Sequence, residues 1–232
     1  MTMQVAMIGT DGIVLASDTS RTTVPMKSLP NLEGVEYHVG GSKILFSDDH
    51  KIAVSCAENL RSAFGLAATI VSALNGREVA DIASLVKEIA AKELAGIQER
   101  AVPKCLIAVG GASPHLLLFQ FAFYGDELVQ ECSEQDVMAT AGHCSNPAIF
   151  WIERYCRRMP TMPVKKLIPL AAHLIFSAAL LNPAGIGGLE ITYSDRDGFH
   201  RLPKEETRRM YSKAREWDER IGNIILDDSV LS

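Results

Sequence analysis

Residues 1–18 read MTMQVAMIGTDGIVLASD, and this stretch decides the fold. An apolar run at residues 4–8 meets a turn signal at residues 10–12, and a second apolar run follows at residues 13–17. Two apolar runs joined by such a turn are typical of a β-hairpin. Because chain ends usually fray unless a terminal strand is tied into a sheet, this hairpin predicts a structured amino terminus.

The amino terminus is itself a candidate reagent. If Met1 is removed, Thr2 carries a hydroxyl and a free amine on the same residue. A hydroxyl is a poor nucleophile at neutral pH and needs a base, and an α-amino group with a pKa of roughly 7.7–8.0 can accept its proton directly or through water. The position of Thr2 therefore predicts a nucleophile that needs no histidine.

The composition describes an ordinary globular protein. The chain has 232 residues, of which 47% are hydrophobic and 22% are charged, and this length suits one large domain or two small ones. A net charge of −5 argues against nucleic acid as the main partner, because phosphate binding needs concentrated Lys and Arg. Since no stretch of about 18 apolar residues is free of charges, we expect no membrane span.

The cysteines and the amino-terminal sequence predict the compartment. No basic segment followed by an apolar segment and a cleavage site is present, so we expect no signal peptide and a cytoplasmic protein. The cysteines are odd in number, contain no C-x-x-C pair and are expected to be reduced thiols: Cys56, Cys105, Cys132, Cys144 and Cys156. The histidines are scattered without metal-ligand spacing, so no metal site is expected.

Apolar patterns along the chain predict four strands, two helices, four strands, two helices, two strands and a last helix. The predicted strands are residues 4–8, 13–17, 43–47, 51–56, 105–109, 116–122, 127–132, 137–141, 188–193 and 199–202, with a turn at 133–136. The predicted helices are residues 59–74, 79–100, 147–157, 164–181 and 204–220, and residues 20–42 are expected to form a long surface loop. Hairpin-linked strands with segregated helix pairs predict an α+β fold, a four-layer αββα sandwich of two antiparallel sheets between helices. Residues 1–220 are predicted to form one domain, followed by a carboxy-terminal tail at residues 221–232.

Three sequence features together resemble a known family. They are Thr2, the run GIVLASD at residues 12–18, and Lys43 at the start of the third predicted strand. The chain resembles the N-terminal nucleophile hydrolases of the proteasome β type, as a divergent bacterial-type member. Thr2 falls where the family has its mature terminal threonine, GIVLASD is similar to the family's G-V-x-x-A-x-D strand, and Lys43 is similar to its catalytic lysine. By element order the resemblance covers nearly the whole chain.

The resemblance implies a catalytic trio of Thr2, Asp18 and Lys43. Thr2 would attack an amide carbonyl, and the Lys43 ammonium would stabilise its alkoxide. Asp18 would pair with Lys43 and hold it charged, because a buried cation without a counter-charge tends to neutralise.

The resemblance also implies supporting residues and partners. It assigns the backbone N–H of Ala57 as the oxyanion donor, and Thr22 and Ser55 as substrate-binding residues. It implies a peptide or unfolded-protein substrate, a ring-shaped homo-oligomer and an ATPase partner. The reaction needs neither a metal nor an organic cofactor.

One motif departs from the family. The family's Asp-x-x-Ser-Gly-Gly motif is represented here by PAGIGG at residues 183–188, with Pro183 and Ile186 at the positions of the acid and the serine. Two alternatives to a peptidase therefore stay open. One is a catalytically inactive ring or scaffold subunit, and the other is a non-proteolytic amidase acting on a small molecule, with residues 20–42 closing over its site.

Overall fold

The amino-terminal residues form the predicted hairpin. In a computed structural model, β1 (Met3–Gly9) and β2 (Gly12–Ser17) pair antiparallel, with Gln4 opposite Ser17 and Gly9 opposite Gly12. Side chains on both faces of the two strands are buried, which explains why the two runs are nearly continuous in apolar residues rather than alternating.

The structure describes residues 2–23, 37–57, 60–77, 79–94, 104–124, 127–142, 162–183 and 185–226. The further strands are β3 (Ser20–Thr23), β4 (Tyr37–Gly40), β5 (Ile44–Phe46), β6 (Ile52–Ala57), β7 (Lys104–Val109), β8 (His115–Tyr124), β9 (Glu127–Gln135), β10 (Met138–Gly142), β11 (Glu190–Ser194) and β12 (Phe199–Arg201). The helices are α1 (Leu60–Leu74), α2 (Val79–Glu93), α3 (Val164–Leu181) and α4 (Lys204–Leu226).

Two five-stranded antiparallel sheets form the centre of the fold. Sheet 1 has the strand order β10-β1-β2-β11-β12, and sheet 2 has the order β5-β6-β7-β8-β9. Helix α3 covers the outer face of sheet 1 with α4 packed on it, and α1 and α2 cover the outer face of sheet 2. The four-layer αββα sandwich predicted from the sequence is confirmed.

Strand β2 shows how one strand serves two hydrophobic layers. Its Val14 and Ala16 pack into the cluster beneath α3. Its Ile13 and Leu15 point the other way, into a cluster between the two sheets that includes Leu106 of sheet 2. Because successive side chains of a strand point to opposite faces, a strand between two layers needs apolar residues at every position.

Several predicted boundaries differ from the structure. Within residues 20–42, the backbone of β3 pairs with β4 as a two-stranded ribbon where a loop was expected. Strand β9 continues to Gln135, through most of the predicted turn at residues 133–136, because it pairs with β8 along its whole length. Helix α4 continues to Leu226, past the predicted end at residue 220. The helix predicted at residues 147–157 lies outside the described residues.

The cysteine prediction is wrong for one pair. Cys56 on β6 and Cys105 on β7 stand directly opposite each other and form a disulfide, with Cα atoms 4.1 Å apart. The sequence gives no sign of this pairing, because the register of two strands separated by two helices decides it. Cys132 is a free thiol, and burial raises its pKa, aided by the nearby carboxylate of Glu134.

Helix α3 is long and apolar enough to cross a membrane by length and composition alone. Half of its residues are buried inside the protein, where they pack against sheet 1. Its apolar character is thus accounted for by its place between sheet 1 and α4.

Gly142, at the end of β10, lies directly against the backbone of Thr2. Its φ is +83°, and a Cβ atom there would overlap the carbonyl oxygen of Thr2. We expect Gly142→Ala to lower the free energy of unfolding by about 1–3 kcal/mol, measured by urea denaturation. In the control Gly65→Ala, on α1, a Cβ meets nothing within 4 Å, so stability should rise by up to about 1 kcal/mol. Equal stability of Gly142→Ala and wild type would contradict this role.

Candidate active site

Thr2 and Asp18 lie side by side because of the hairpin. Thr2 directly precedes β1 and Asp18 directly follows β2, so the two residues lie at the same end of an antiparallel pair. The backbone N–H of Met3 donates to Oδ1 of Asp18 at 2.9 Å, and the N–H of Asp18 donates to the carbonyl oxygen of Met3 at 3.1 Å. These bonds fix the carboxylate next to the first residue of the hairpin.

Lys43 reaches this position from the other sheet. It directly precedes β5, and its Nζ lies 2.8 Å and 2.9 Å from the two carboxylate oxygens of Asp18. The same Nζ donates to Oγ1 of Thr2 at 3.1 Å. The structure thus brings together the three residues that the resemblance selects, and one ammonium group contacts both of the others.

The ion pair is almost completely removed from solvent. The Lys43 side chain is 6% exposed and that of Asp18 is 0% exposed, whereas Thr2 is only partly buried. Burial raises the pKa of Asp18, and the Lys43 ammonium and the Met3 N–H oppose that rise in part. As the pH falls, the folded protein therefore protonates Asp18 at a higher pH than an ordinary aspartate, and the ion pair is lost there.

Ser55, which the resemblance assigns to substrate binding, lies on β6 and contacts the Lys43 segment. Its side chain is buried, and its hydroxyl donates to the carbonyl oxygen of Lys43 at 3.0 Å. The Ser55 hydroxyl is therefore used to hold the Lys43 segment. Thr22 pairs with His38 through the β3–β4 backbone, and its side chain lies outside the described part of the structure.

Ala57 ends strand β6 close to Thr2, on the far side of Gly142. A Cβ built on Gly142 would meet both the carbonyl oxygen of Thr2 and the Cβ of Ala57, so Ala57 lies beside the Thr2 backbone. The role of the Ala57 N–H as oxyanion donor stays a prediction.

The segment PAGIGG at residues 183–188, which differs from the family motif, contacts the site through its backbone. Ile186, at the position of the family's serine, is 2% exposed and belongs to the core beneath α3. The carbonyl oxygen of Gly187 accepts hydrogen bonds from the N–H groups of Thr19 and Ser20, both at 3.0 Å. A backbone acceptor thus holds the residues that follow Asp18.

Glu190 is a site residue that was not predicted. It begins β11, and its Oε2 accepts the backbone N–H of Lys43 at 2.9 Å. A single acid within a predicted strand, here residues 188–193, gives little signal by itself, because such residues are usually solvated. Its strand neighbours are buried, however, and an acid among them was the available clue.

The described residues contain no group of three or more His, Cys, Asp or Glu side chains placed to hold a metal ion.

Comparisons with known proteins identify the fold. No family model and no curated protein matches the sequence. Among solved structures, the chain is similar to the Anbu (Gly-1) mutant from Hyphomicrobium sp. strain MC1, with a TM-score of 0.68 and 14% sequence identity, over 98% of this chain and 97% of that chain. The chain has the proteasome-like N-terminal nucleophile hydrolase fold. At this identity the similarity concerns the fold alone.

The buried ion pair gives a prediction about stability. Asp18→Asn removes the negative charge that faces Lys43, and breaking a buried pair costs roughly 3–5 kcal/mol. We expect a large drop in the urea unfolding midpoint at pH 7. Glu88→Gln, which breaks the exposed Glu88–Lys92 pair on α2, is the matched control and should leave the midpoint nearly unchanged. Equal shifts for the two variants would show that the Lys43–Asp18 pair is not effectively buried.

Proposed function

We propose that this protein is a threonine-type N-terminal nucleophile hydrolase. In this proposal it cleaves amide bonds of peptides or unfolded proteins through an acyl-enzyme on Thr2, after Met1 has been removed. The observation that supports it most directly is the contact of the Lys43 ammonium with both the Thr2 hydroxyl and the Asp18 carboxylate.

The reaction would begin at the Thr2 hydroxyl. The free α-amino group of Thr2 takes the hydroxyl proton, and Oγ1 attacks the carbonyl carbon of the substrate. The tetrahedral intermediate collapses when the Thr2 ammonium returns a proton to the leaving amine, and an ester on Oγ1 remains. Water, deprotonated by the same amine, then attacks the ester, releases the carboxylic acid and restores the hydroxyl.

The roles of the other two residues follow from charge and burial. The Lys43 ammonium, 3.1 Å from Oγ1, stabilises the negative charge that develops on that oxygen, and a partly dehydrated site strengthens the effect. Asp18 keeps Lys43 protonated, because an ammonium buried beside a carboxylate retains its proton better than one buried alone. Thr2 is more exposed than either partner, so a substrate carbonyl can approach it.

The resemblance extends the proposal to assembly and location. We place the protein in the cytoplasm, as a ring-like homo-oligomer that receives substrate from an ATPase partner. The outermost helix, α4, carries exposed Ile221 and Ile224, which are available for contacts between copies. Sedimentation velocity on the purified protein would test the assembly.

A catalytically inactive ring or scaffold subunit is the second candidate. Pro183 and Ile186 favour it, because they replace polar residues of the family motif with groups that have no acid–base chemistry.

A small-molecule amidase of the same fold is distinguished from a peptidase by its substrates. Faster hydrolysis of small amides than of peptides would favour the amidase.

The proposed nucleophile is tested by replacing it. We expect Thr2→Ala to lower the hydrolysis of a fluorogenic peptide panel by about 10³-fold or more, while Thr2→Ser keeps a hydroxyl and an amine and retains measurable activity. Thr10→Ala, in the exposed hairpin turn, is the matched control and should behave as wild type. Intact-protein mass should show that Met1 is absent from the active form.

Two outcomes would contradict the proposal. One is a Thr2→Ala variant as active as wild type, which would place the nucleophile elsewhere. The other is an active protein whose mass includes Met1, because the α-amine of Thr2 would then be tied up in a peptide bond. A folded wild-type protein without activity on peptides or small amides would favour the inactive subunit.

A further inference from the structure

Lys43 precedes a short strand at the edge of sheet 2. Strand β5 has only three residues, Ile44–Phe46, and lies at the edge of sheet 2, where it pairs with β6 alone. A short edge strand leaves one row of backbone groups without a strand partner. The ammonium of Lys43 must nevertheless be held at 3.1 Å from the Thr2 hydroxyl.

Two charged side chains from sheet 1 occupy the open edge. Oε2 of Glu190 accepts the N–H of Lys43 at 2.9 Å, and Nη2 of Arg201 donates to the carbonyl oxygen of Ile44 at 2.8 Å. The Arg201 guanidinium also forms an ion pair with Oε1 of Glu190. Together the two side chains bond to the backbone much as a neighbouring strand would.

Further contacts lock this arrangement. The Arg201 guanidinium lies 4.8 Å from the centroid of the Phe46 ring, a cation–π distance. Nη1 of Arg201 donates to the Ser42 hydroxyl at 2.7 Å, and that hydroxyl lies 2.6 Å from Oε1 of Glu190. The Glu190 side chain is only 10% exposed, so water competes little for its hydrogen bonds.

The position of Glu190 links the two halves of the ion pair. In the register of sheet 1, Glu190 stands opposite Ser17 of β2, and Ser17 directly precedes Asp18. The backbone of Glu190 is therefore fixed beside Asp18, while its carboxylate is bonded to the backbone of Lys43. One residue thus sets the distance between the strands that deliver the two charges.

We infer that Glu190 and Arg201 form a positioning pair that holds Lys43 in register with Thr2 and Asp18. Neither side chain reaches the Thr2 hydroxyl, and both act on the backbone of residues 43 and 44. The inference depends on the proposed hydrolase activity for its kinetic consequence, but the clamp on the Lys43 backbone can be measured without any activity.

The first measurement follows the backbone directly. Hydrogen exchange of the Lys43 amide, recorded by NMR, should become at least about tenfold faster in Glu190→Ala, because its acceptor is gone. Glu190→Gln keeps an oxygen that can accept this N–H, so exchange should be intermediate. Asp195→Asn is the matched control, because Asp195 pairs with His200 on the same β11–β12 hairpin and does not contact β5. It should leave the Lys43 amide unchanged.

The second measurement uses kinetics on a peptide that wild type cleaves. A misplacement of about 1 Å lowers rates on the order of 10²-fold, so Glu190→Ala should lower kcat to that extent with little change in KM. Glu190→Gln should recover part of the loss, and Asp195→Asn should match wild type. If Glu190→Ala fails to fold, Arg201→Lys replaces it, since lysine keeps the charge and loses the planar fork.

The outcomes separate the two claims. Unchanged Lys43 exchange in folded Glu190→Ala, or in Glu190→Gln if the alanine variant does not fold, would overturn the positioning pair, whatever the activity. Faster exchange with an unchanged kcat would overturn its role in positioning for the reaction. If wild type cleaves nothing, the hydrolase proposal fails, and the exchange measurement alone decides whether the clamp exists.

Discussion

The ammonium of Lys43 and the carboxylate of Asp18 meet between the two sheets, and both are shielded from water. Removing such charges from water costs several kcal/mol for each ion, which close geometry and further hydrogen bonds must offset. Here both carboxylate oxygens accept from Nζ, and Oδ1 also accepts from the N–H of Met3. A pair of this kind contributes little net stability compared with apolar residues, which agrees with the role that we propose for Lys43 beside the Thr2 hydroxyl.

The rest of the molecule is arranged so that this pair can form. Asp18 comes from the end of β2 in sheet 1, and Lys43 comes from the start of β5 in sheet 2. Their meeting therefore requires correct stacking of the two sheets, which the apolar cluster between them provides. It also requires a fixed amino terminus, and β1 supplies that by pairing on both sides, with β2 and with β10. Because the site's three residues lie at the ends of strands, the paired strands of the two sheets fix the distances between them.

The elements of the fold that could be predicted are those in which apolar residues recur at the spacing of a strand or a helix. The hairpin of β1 and β2, the sandwich class and the bounds of α3 follow from apolar periodicity and from turn residues, which are local properties. The Cys56–Cys105 disulfide and the ribbon of β3 and β4 were not predictable in this way, because both depend on register between segments that are distant in sequence. The late end of α4 was missed for another reason, since Gly222 is typical of a helix end, whereas the helix continues through it to Leu226.

The same distinction applies to the site. Thr2, Asp18 and Lys43 were selected because a resemblance supplied their spacing, and no composition or period would have joined them. Glu190 was not predicted, because its role depends on its contact with the Lys43 backbone. That contact exists only once β11 has folded beside β5. Ser55 was assigned to substrate, and the donation of its hydroxyl to the Lys43 carbonyl oxygen is a supporting contact that the sequence did not predict. Buried hydroxyls usually bond to backbone groups, which is a general reason to consider a supporting role for such a residue before substrate binding.

The segment at residues 183–188 leads directly into Glu190, so this segment and the positioning pair belong to one connection. The acid and the serine expected before the glycine pair are replaced by Pro183 and Ile186, and Ile186 fills the core beneath α3. An acid recurs two residues after the glycine pair, as Glu190, where it contacts the backbone of Lys43. Gly187 meanwhile holds the residues after Asp18 through its carbonyl oxygen. The segment from Gly187 to Glu190 therefore bonds to the backbone on both sides of the site: the Gly187 carbonyl accepts from the residues after Asp18, and the Glu190 carboxylate accepts from Lys43. The geometry of the charged pair is thus supported by backbone and carboxylate atoms of this connection, although the side chains of Pro183 and Ile186 carry no polar atoms.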